Sequence, residues 1–93
     1  MTDAALRGDD QRFNLQQQKT RAKELRQAIA RRAPEAVERV RRHHPAARDV
    51  APADVPHRLG KLSDAQLVIA RELGLASWPQ LKAHVERLER ARR

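Results

Sequence analysis

The segment LSDAQLVIARELGLASWPQL, residues 62–81, contains signals for two helix starts and one helix end. Ser63 with Gln66 fits a capping box, in which a hydroxyl and an amide satisfy backbone N–H groups of the first helical turn. Ser77 with Gln80 repeats this pattern. Gly74, between the two, can adopt the left-handed conformation that ends a helix. The segment therefore predicts two helices joined by a short turn.

Apolar residues next to these signals strengthen the prediction. Leu62 and Leu67 are spaced to form a hydrophobic staple around the first capping box. Leu75, directly after the glycine, is expected to fold back onto the last helical turn near Ala70. The two helices should therefore pack against each other as a hairpin.

Apolar spacing of three and four residues continues along most of the chain and is typical of amphipathic helices. Asn14 can cap a first helix, and Pro34 suits the first turn of a second. No stretch alternates as a strand would. The sequence predicts an all-α, compact bundle of about four helices over residues 14–32, 34–44, 64–73 and 78–91, with an ordered, proline-rich loop over residues 45–61.

The apolar faces of these helices predict one small core. Trp78 is in phase with the apolar residues of the fourth helix and is expected to be a core anchor. Val50, Val55 and Leu59 are expected to attach the loop to that core. The predicted helical core residues are Leu25, Ile29, Val37, Val40, Leu67, Ala70, Leu73, Trp78, Leu81, Val85 and Leu88.

Length and composition indicate one domain of modest stability. The 93 residues divide into a flexible acidic leader over residues 1–12 and a single helical domain over residues 13–93. No cysteine is present, which is compatible with a reducing compartment. No apolar run is long enough for a membrane span, and no secretory signal is recognisable. We therefore expect a cytoplasmic protein without a membrane partner and without a cofactor.

The formal net charge of +8 is concentrated in one part of the chain. Residues 11–48 alone carry a net charge of +8, and such a surface favours anionic partners. One candidate binding face lies on the first two helices and consists of Lys19, Lys23, Arg26, Arg39, Arg41 and Arg42. A second lies on the outer side of the fourth helix and consists of Gln80, Lys82, Arg87 and Arg90.

No residue set indicates catalysis or metal binding. His43 and His44 are adjacent and point about 100° apart on a helix, and the chain has no histidine pair with the spacing of a metal site. We expect one of them to interact with a helix C-terminus. Ser63 and Ser77, the only serines, are explained as caps. The sequence therefore predicts no enzyme, no catalytic residue and no metal ligand.

Several runs resemble the small helical module found ahead of ankyrin repeats, and attached to other domains, in many bacterial proteins. They are QKTRAKEL (18–25), PEAVER (34–39), HHP (43–45), DAQLVIARE (64–72) and SWPQLKAH (77–84). Two positions depart from the family pattern. Leu75 stands where an aromatic residue is usual, and Arg32-Ala33 replaces a Gly-Asp pair, which removes a favoured helix stop.

Two functions from different classes remain. The resemblance implies a non-enzymatic accessory or protein-interaction module, and the positive charge favours an acidic protein partner. The alternative is a nucleic-acid-binding module. It would use either the basic face of the first two helices or a helix-turn-helix-like arrangement of the third and fourth.

Overall fold

A computed structural model describes residues 14–91, and all regular structure in this range is helical. The all-α prediction is confirmed, with five α-helices instead of four because the loop contains an additional short one. The helices are α1 (Leu15–Ala30), α2 (Pro34–His43), α3 (Val55–Arg58), α4 (Leu62–Glu72) and α5 (Trp78–Ala91). The predicted leader, residues 1–12, lies outside the described residues.

Helix α4 is the central element of the bundle. It packs against α1, α2 and α5, whereas α3 and the preceding turns close the side formed by α1 and α2. The buried side of α1 consists of Gln18, Ala22, Leu25 and Ile29, at the spacing of one helical face. As predicted, the Asn14 side chain caps this helix by accepting a hydrogen bond from the Gln17 N–H (3.0 Å).

The proline-rich segment after α2 is ordered, as predicted. It forms two short 3-10 helices, Pro45–Asp49 and Pro52–Asp54, and then the single turn of α3. Val50, Val55 and Leu59 are all buried, so their predicted attachment to the core is confirmed. Gly60 ends this segment where the chain passes so close to the Pro56 carbonyl that a Cβ would collide with it.

The start of α4 differs from the prediction. The helix begins at Leu62, and the Asp64 carboxylate accepts a hydrogen bond from the Lys61 N–H (3.1 Å). Ser63 is an exposed residue inside the first turn, so the predicted Ser63–Gln66 capping box and its staple are wrong. Asp64 takes the capping role because it stands three residues after Lys61, the N-cap residue. Its negative charge also stabilises the helix, because the N-terminal end of the helix dipole is positive.

The end of α4 agrees with the prediction. Gly74 has φ 86°, in the left-handed region. The Gly74 N–H donates to the Arg71 carbonyl (3.0 Å) and the Leu75 N–H donates to the Ala70 carbonyl (3.0 Å), which is the Schellman pattern. At the start of α5, the Ser77 hydroxyl accepts from the Gln80 N–H (3.4 Å), so the predicted cap by Ser77 is confirmed. The predicted reciprocal bond differs, because Gln80 Oε1 accepts from the Ala76 N–H (3.3 Å) and not from the Ser77 N–H.

Helix α1 ends with the same hydrogen-bond pattern but without a glycine. The Arg32 N–H donates to the Ile29 carbonyl (2.9 Å) and the Ala33 N–H donates to the Ala28 carbonyl (3.0 Å). Arg32 has φ 63°, a conformation that costs energy for a residue with a Cβ. The prediction that α1 lacks a favoured helix stop is therefore wrong, because Arg32 adopts the left-handed conformation that ends the helix.

Most predicted core residues are buried. Six are buried outright: Leu25, Ile29, Val40, Ala70, Leu81 and Val85. Val37, Leu73 and Trp78 are partly buried and pack against the core. Leu67 and Leu88 are only half-buried and belong to neither buried cluster of residues 14–91, so their assignment to the core is wrong. Ala65, Val68 and Ile69 form the buried side of α4 instead, and Leu67 points away from it.

Candidate functional site

Arg39, predicted to belong to a binding face, instead joins α2 to α4. Its Nε and Nη2 atoms donate to the two carboxylate oxygens of Glu72 at 2.8 and 2.6 Å. The hydrogen bond to Glu72 raises the pKa of Arg39, although partial burial opposes this shift. These two hydrogen bonds engage one side of the Arg39 guanidinium group within the fold, so those donors are not available to a partner. Arg39 is therefore removed from the candidate binding residues.

His44, the residue directly after α2, makes a second polar contact with α4. It is nearly buried, and its Nε2 lies 2.9 Å from Asp64 Oδ1. Its Nδ1 accepts a hydrogen bond from the Ala46 N–H (3.0 Å). Because a backbone N–H can only donate, Nδ1 carries no proton and Nε2 donates to the carboxylate. His44 therefore caps the following 3-10 helix, and His43 is the one of the two histidines that lies in the last turn of α2.

The outer side of this junction is concave and basic. One concavity of about 560 Å³ lies between the end of α2, the 3-10 helix after it and the end of α4. An adjoining concavity of about 370 Å³ extends to the turn between α4 and α5. The two share Arg42, His43 and Arg71. We call them together the basic groove, whose charged lining residues are Arg41, Arg42, Arg48, Asp49 and Arg71.

Positive charge is only partly neutralised within the groove. Arg41 and Arg42 share one carboxylate, that of Glu38, at 3.3 and 3.6 Å. Arg48 and Arg71 form no ion pair with any of residues 14–91. Both therefore retain donors for an anion from outside the chain.

The end of the groove near α5 has a different character. Gly74, Leu75 and Ala76, which carry no charge, line only this end, where Arg42, His43 and Arg71 also border the concavity. Leu75 is half-buried and packs on the cluster of Ala70, Leu81 and Val85. The groove therefore carries a small apolar patch near α5, formed by Leu75 and Ala76 beside Arg42 and Arg71, which we call the apolar end.

The remaining basic residues of the first predicted face lie elsewhere. Lys19, Lys23 and Arg26 are exposed on α1, spaced three and four residues apart along one side. Lys23 and Arg26 line a separate concavity of about 430 Å³ together with Gln27, Ala30 and Leu62. Arg41 and Arg42 line the basic groove, whereas Lys23 and Arg26 line this other concavity. Residues that were expected to share one face are therefore divided between two concavities.

The predicted outer face of α5 is only weakly basic. Gln80 is occupied, because its Oε1 accepts a hydrogen bond from the Ala76 N–H (3.3 Å). The Arg90 Nη2 atom lies 3.9 Å from Glu86 Oε2. Lys82 and Arg87 are exposed. Acidic residues thus accompany the basic residues of this helix, which weakens its case as a DNA-reading helix.

The histidines do not assemble into a metal site in the part of the chain that is described. No group of three His, Cys, Asp or Glu side chains there could hold a metal ion. His43 lines the basic groove, with its Nε2 4.0 Å from Glu72. Among residues 14–91, no helix is both long and apolar enough to cross a membrane.

Comparison of the chain with protein-family models, curated proteins and solved structures gave no match. The resemblance to the module that precedes ankyrin repeats therefore stays a prediction. The site has to be interpreted from its own chemistry, in which the basic groove is the most distinctive feature. Sequence reasoning found Arg41 and Arg42 but missed Arg48 and Arg71.

Proposed function

We propose that this chain is a non-enzymatic interaction module that binds an acidic segment of a partner protein in the basic groove. The observation that supports this most directly is that Arg48 and Arg71 face the same concavity without a carboxylate partner among the described residues. Four of the five charged residues that line the groove are arginines and the fifth is Asp49, so the lining has an excess of positive charge, which attracts anionic ligands. Guanidinium groups also bind carboxylates with two parallel hydrogen bonds.

The lining favours a protein segment over a nucleic acid. No Trp, Tyr or Phe is among the described residues that line the groove, so it lacks the aromatic side chains on which unpaired bases usually stack. Its apolar end suits a side chain better than a phosphate backbone. The family resemblance, which implies an accessory module, supports the same class of function. A reducing cytoplasm suits a chain without cysteine.

Fluorescence anisotropy with a labelled octaglutamate peptide tests the proposal. We expect saturable binding that weakens as salt is raised, because exposed charges are screened. Octalysine of the same length is the control and should not bind. Absence of octaglutamate binding at low salt would overturn the proposed function.

Nucleic-acid binding is the second candidate, and the α1 surface favours it. Lys19, Lys23 and Arg26 form an exposed basic row that lies apart from the groove. Such a row can follow a phosphate backbone without reading bases. If this candidate is right, a random-sequence duplex DNA should bind more tightly than octaglutamate, with an affinity that falls log-linearly with salt. The Lys23→Glu, Arg26→Glu double variant should then remove that binding.

A further inference from the structure

The two ends of the basic groove offer different chemistry to one ligand. The end near the 3-10 helix presents Arg48, and the end near α5 presents Leu75 and Ala76. Arg42 and Arg71 line both concavities, so the groove is continuous. A ligand that lies along it meets guanidinium groups first and apolar surface next.

The apolar end is open to a ligand side chain. Gly74 has no atom within 4 Å of the position where a Cβ would be, so the space beside its backbone is unfilled. Ala76 is exposed. Leu75 is half-buried and is held in place by the hydrogen bond of its N–H to the Ala70 carbonyl. This end therefore presents a small apolar surface beside the long side chains of Arg42 and Arg71.

We infer that the basic groove binds a bipartite segment of a partner protein, in which acidic residues are followed or preceded by an apolar residue. The acidic residues pair with Arg48 and Arg71, and the apolar side chain covers Leu75 and Ala76. This inference rests on the proposed function and adds the sequence type of the ligand. A uniformly acidic segment leaves the apolar end exposed to water, so it gives up part of the contact that the groove offers.

Measuring the affinity at several salt concentrations separates the contribution of charge attraction from that of apolar burial. Attraction between exposed charges falls as ionic strength rises, whereas burial of apolar surface is much less sensitive to moderate salt. The affinity ratio between a bipartite peptide and a uniformly acidic one should therefore stay constant when salt weakens both. An affinity ratio that changed with the salt concentration would indicate that the difference between the two peptides comes from charge and not from apolar contact.

The test compares labelled octaglutamate with peptides of equal charge that carry two additional leucines, at the N-terminus in one version and at the C-terminus in another. We expect one version to bind about fivefold more tightly than octaglutamate, corresponding to partial burial of one leucine side chain. If octaglutamate binds and neither leucine peptide binds more tightly, the inference fails and the proposed function stands. If no peptide binds, both fail.

Two variants locate the apolar contact. Ala76→Gln places a polar side chain at the apolar end and should remove the gain from leucine, measured as the ratio between the affinities of the leucine peptide and octaglutamate for the same variant. Leu75→Ala should reduce the same gain, with a melting curve to establish that the variant is folded. Ala83→Gln is the matched control, because Ala83 lines a different concavity with Trp78 and Pro79. Loss of the gain in Ala83→Gln, or its persistence in Ala76→Gln, would overturn the inference.

Discussion

The last two turns of α2 carry basic side chains with two different roles. On the inner side, Arg39 and, just after the helix, His44 contact carboxylates of α4. On the outer side, Arg41 and Arg42 share one glutamate of their own helix and line the basic groove. The comparison shows that position relative to α4, not the number of positive charges, separates residues that hold the fold together from residues available to a partner.

Replacement of His44 should have the largest effect on stability. His44→Ala removes two hydrogen bonds and leaves Asp64 Oδ1 without the His44 contact in a site where the carboxylate is 17% exposed. We expect the free energy of unfolding to fall by about 2–3 kcal/mol in urea titrations. His43→Ala, one residue earlier and 35% exposed at its side chain, is the control and should change stability by about 0.5 kcal/mol or less. Equal effects of the two variants would contradict the inner role of His44.

The coupling between Arg39 and Glu72 should be smaller but measurable. Both side chains are partly exposed, at 36% and 21%, so water screens the pair, but its bidentate geometry is favourable. A double-mutant cycle of Arg39→Ala and Glu72→Ala should give a coupling energy of about 1 kcal/mol.

The Arg42–Glu38 pair provides the matched comparison on the outer side. Its atoms are 3.6 Å apart and the Arg42 side chain is 71% exposed. The same cycle on this pair should give a coupling energy near zero. If the outer pair were coupled as strongly as the inner pair, Arg42 would be a structural residue and the comparison would fail.

Arg32 provides a further case of a basic residue used by the fold. It ends α1 in the left-handed conformation, and its side chain donates to the Ala53 carbonyl (3.1 Å). Arg32→Gly and Arg32→Ala both remove this hydrogen bond, so their difference reports the relief of backbone strain less the entropy that glycine adds to the unfolded chain. Thermal unfolding should find the glycine variant more stable than the alanine variant by about 1 kcal/mol. No difference would mean that the conformation at residue 32 carries no cost.

Local signals in the sequence predicted the helix ends better than they predicted the polar contacts. Gly74 and Ser77 were recognisable because capping involves residues three to five positions apart, within a single segment. The capping box at Ser63 is wrong because the helix begins before it, with Lys61 at the N-cap, and Asp64 accepts the hydrogen bond of the Lys61 N–H.

The site was harder to predict because it is not local. Glu72 lies 33 residues from Arg39, so charge alone could not show that this arginine is occupied. Arg48 and Arg71 come together only because α4 packs against α2. Leu67 shows the same limit for the core, since its apolar character did not reveal which side of α4 faces its neighbours.

Charge reversal in the groove should affect stability less than replacement of His44 does. Arg48→Glu with Arg71→Glu changes exposed side chains, one of them near the end of α4, where a cation is favourable. We expect the free energy of unfolding to change by about 1 kcal/mol or less in urea titrations. A larger loss would indicate that these arginines serve the fold as Arg39 does.

Octaglutamate binding by three charge-matched double variants tests the central claim that the groove is the binding site. The groove variant is Arg48→Glu with Arg71→Glu, the α1 variant is Lys23→Glu with Arg26→Glu, and the α5 variant is Lys82→Glu with Arg87→Glu. All three lower the net charge equally, so a general charge effect would weaken binding to the same extent in each. We predict that the groove variant loses binding by more than about tenfold, while the other two stay within about threefold of the unmodified protein. Equal losses in all three, or a larger loss in the α1 or α5 variant, would contradict the assignment of the groove.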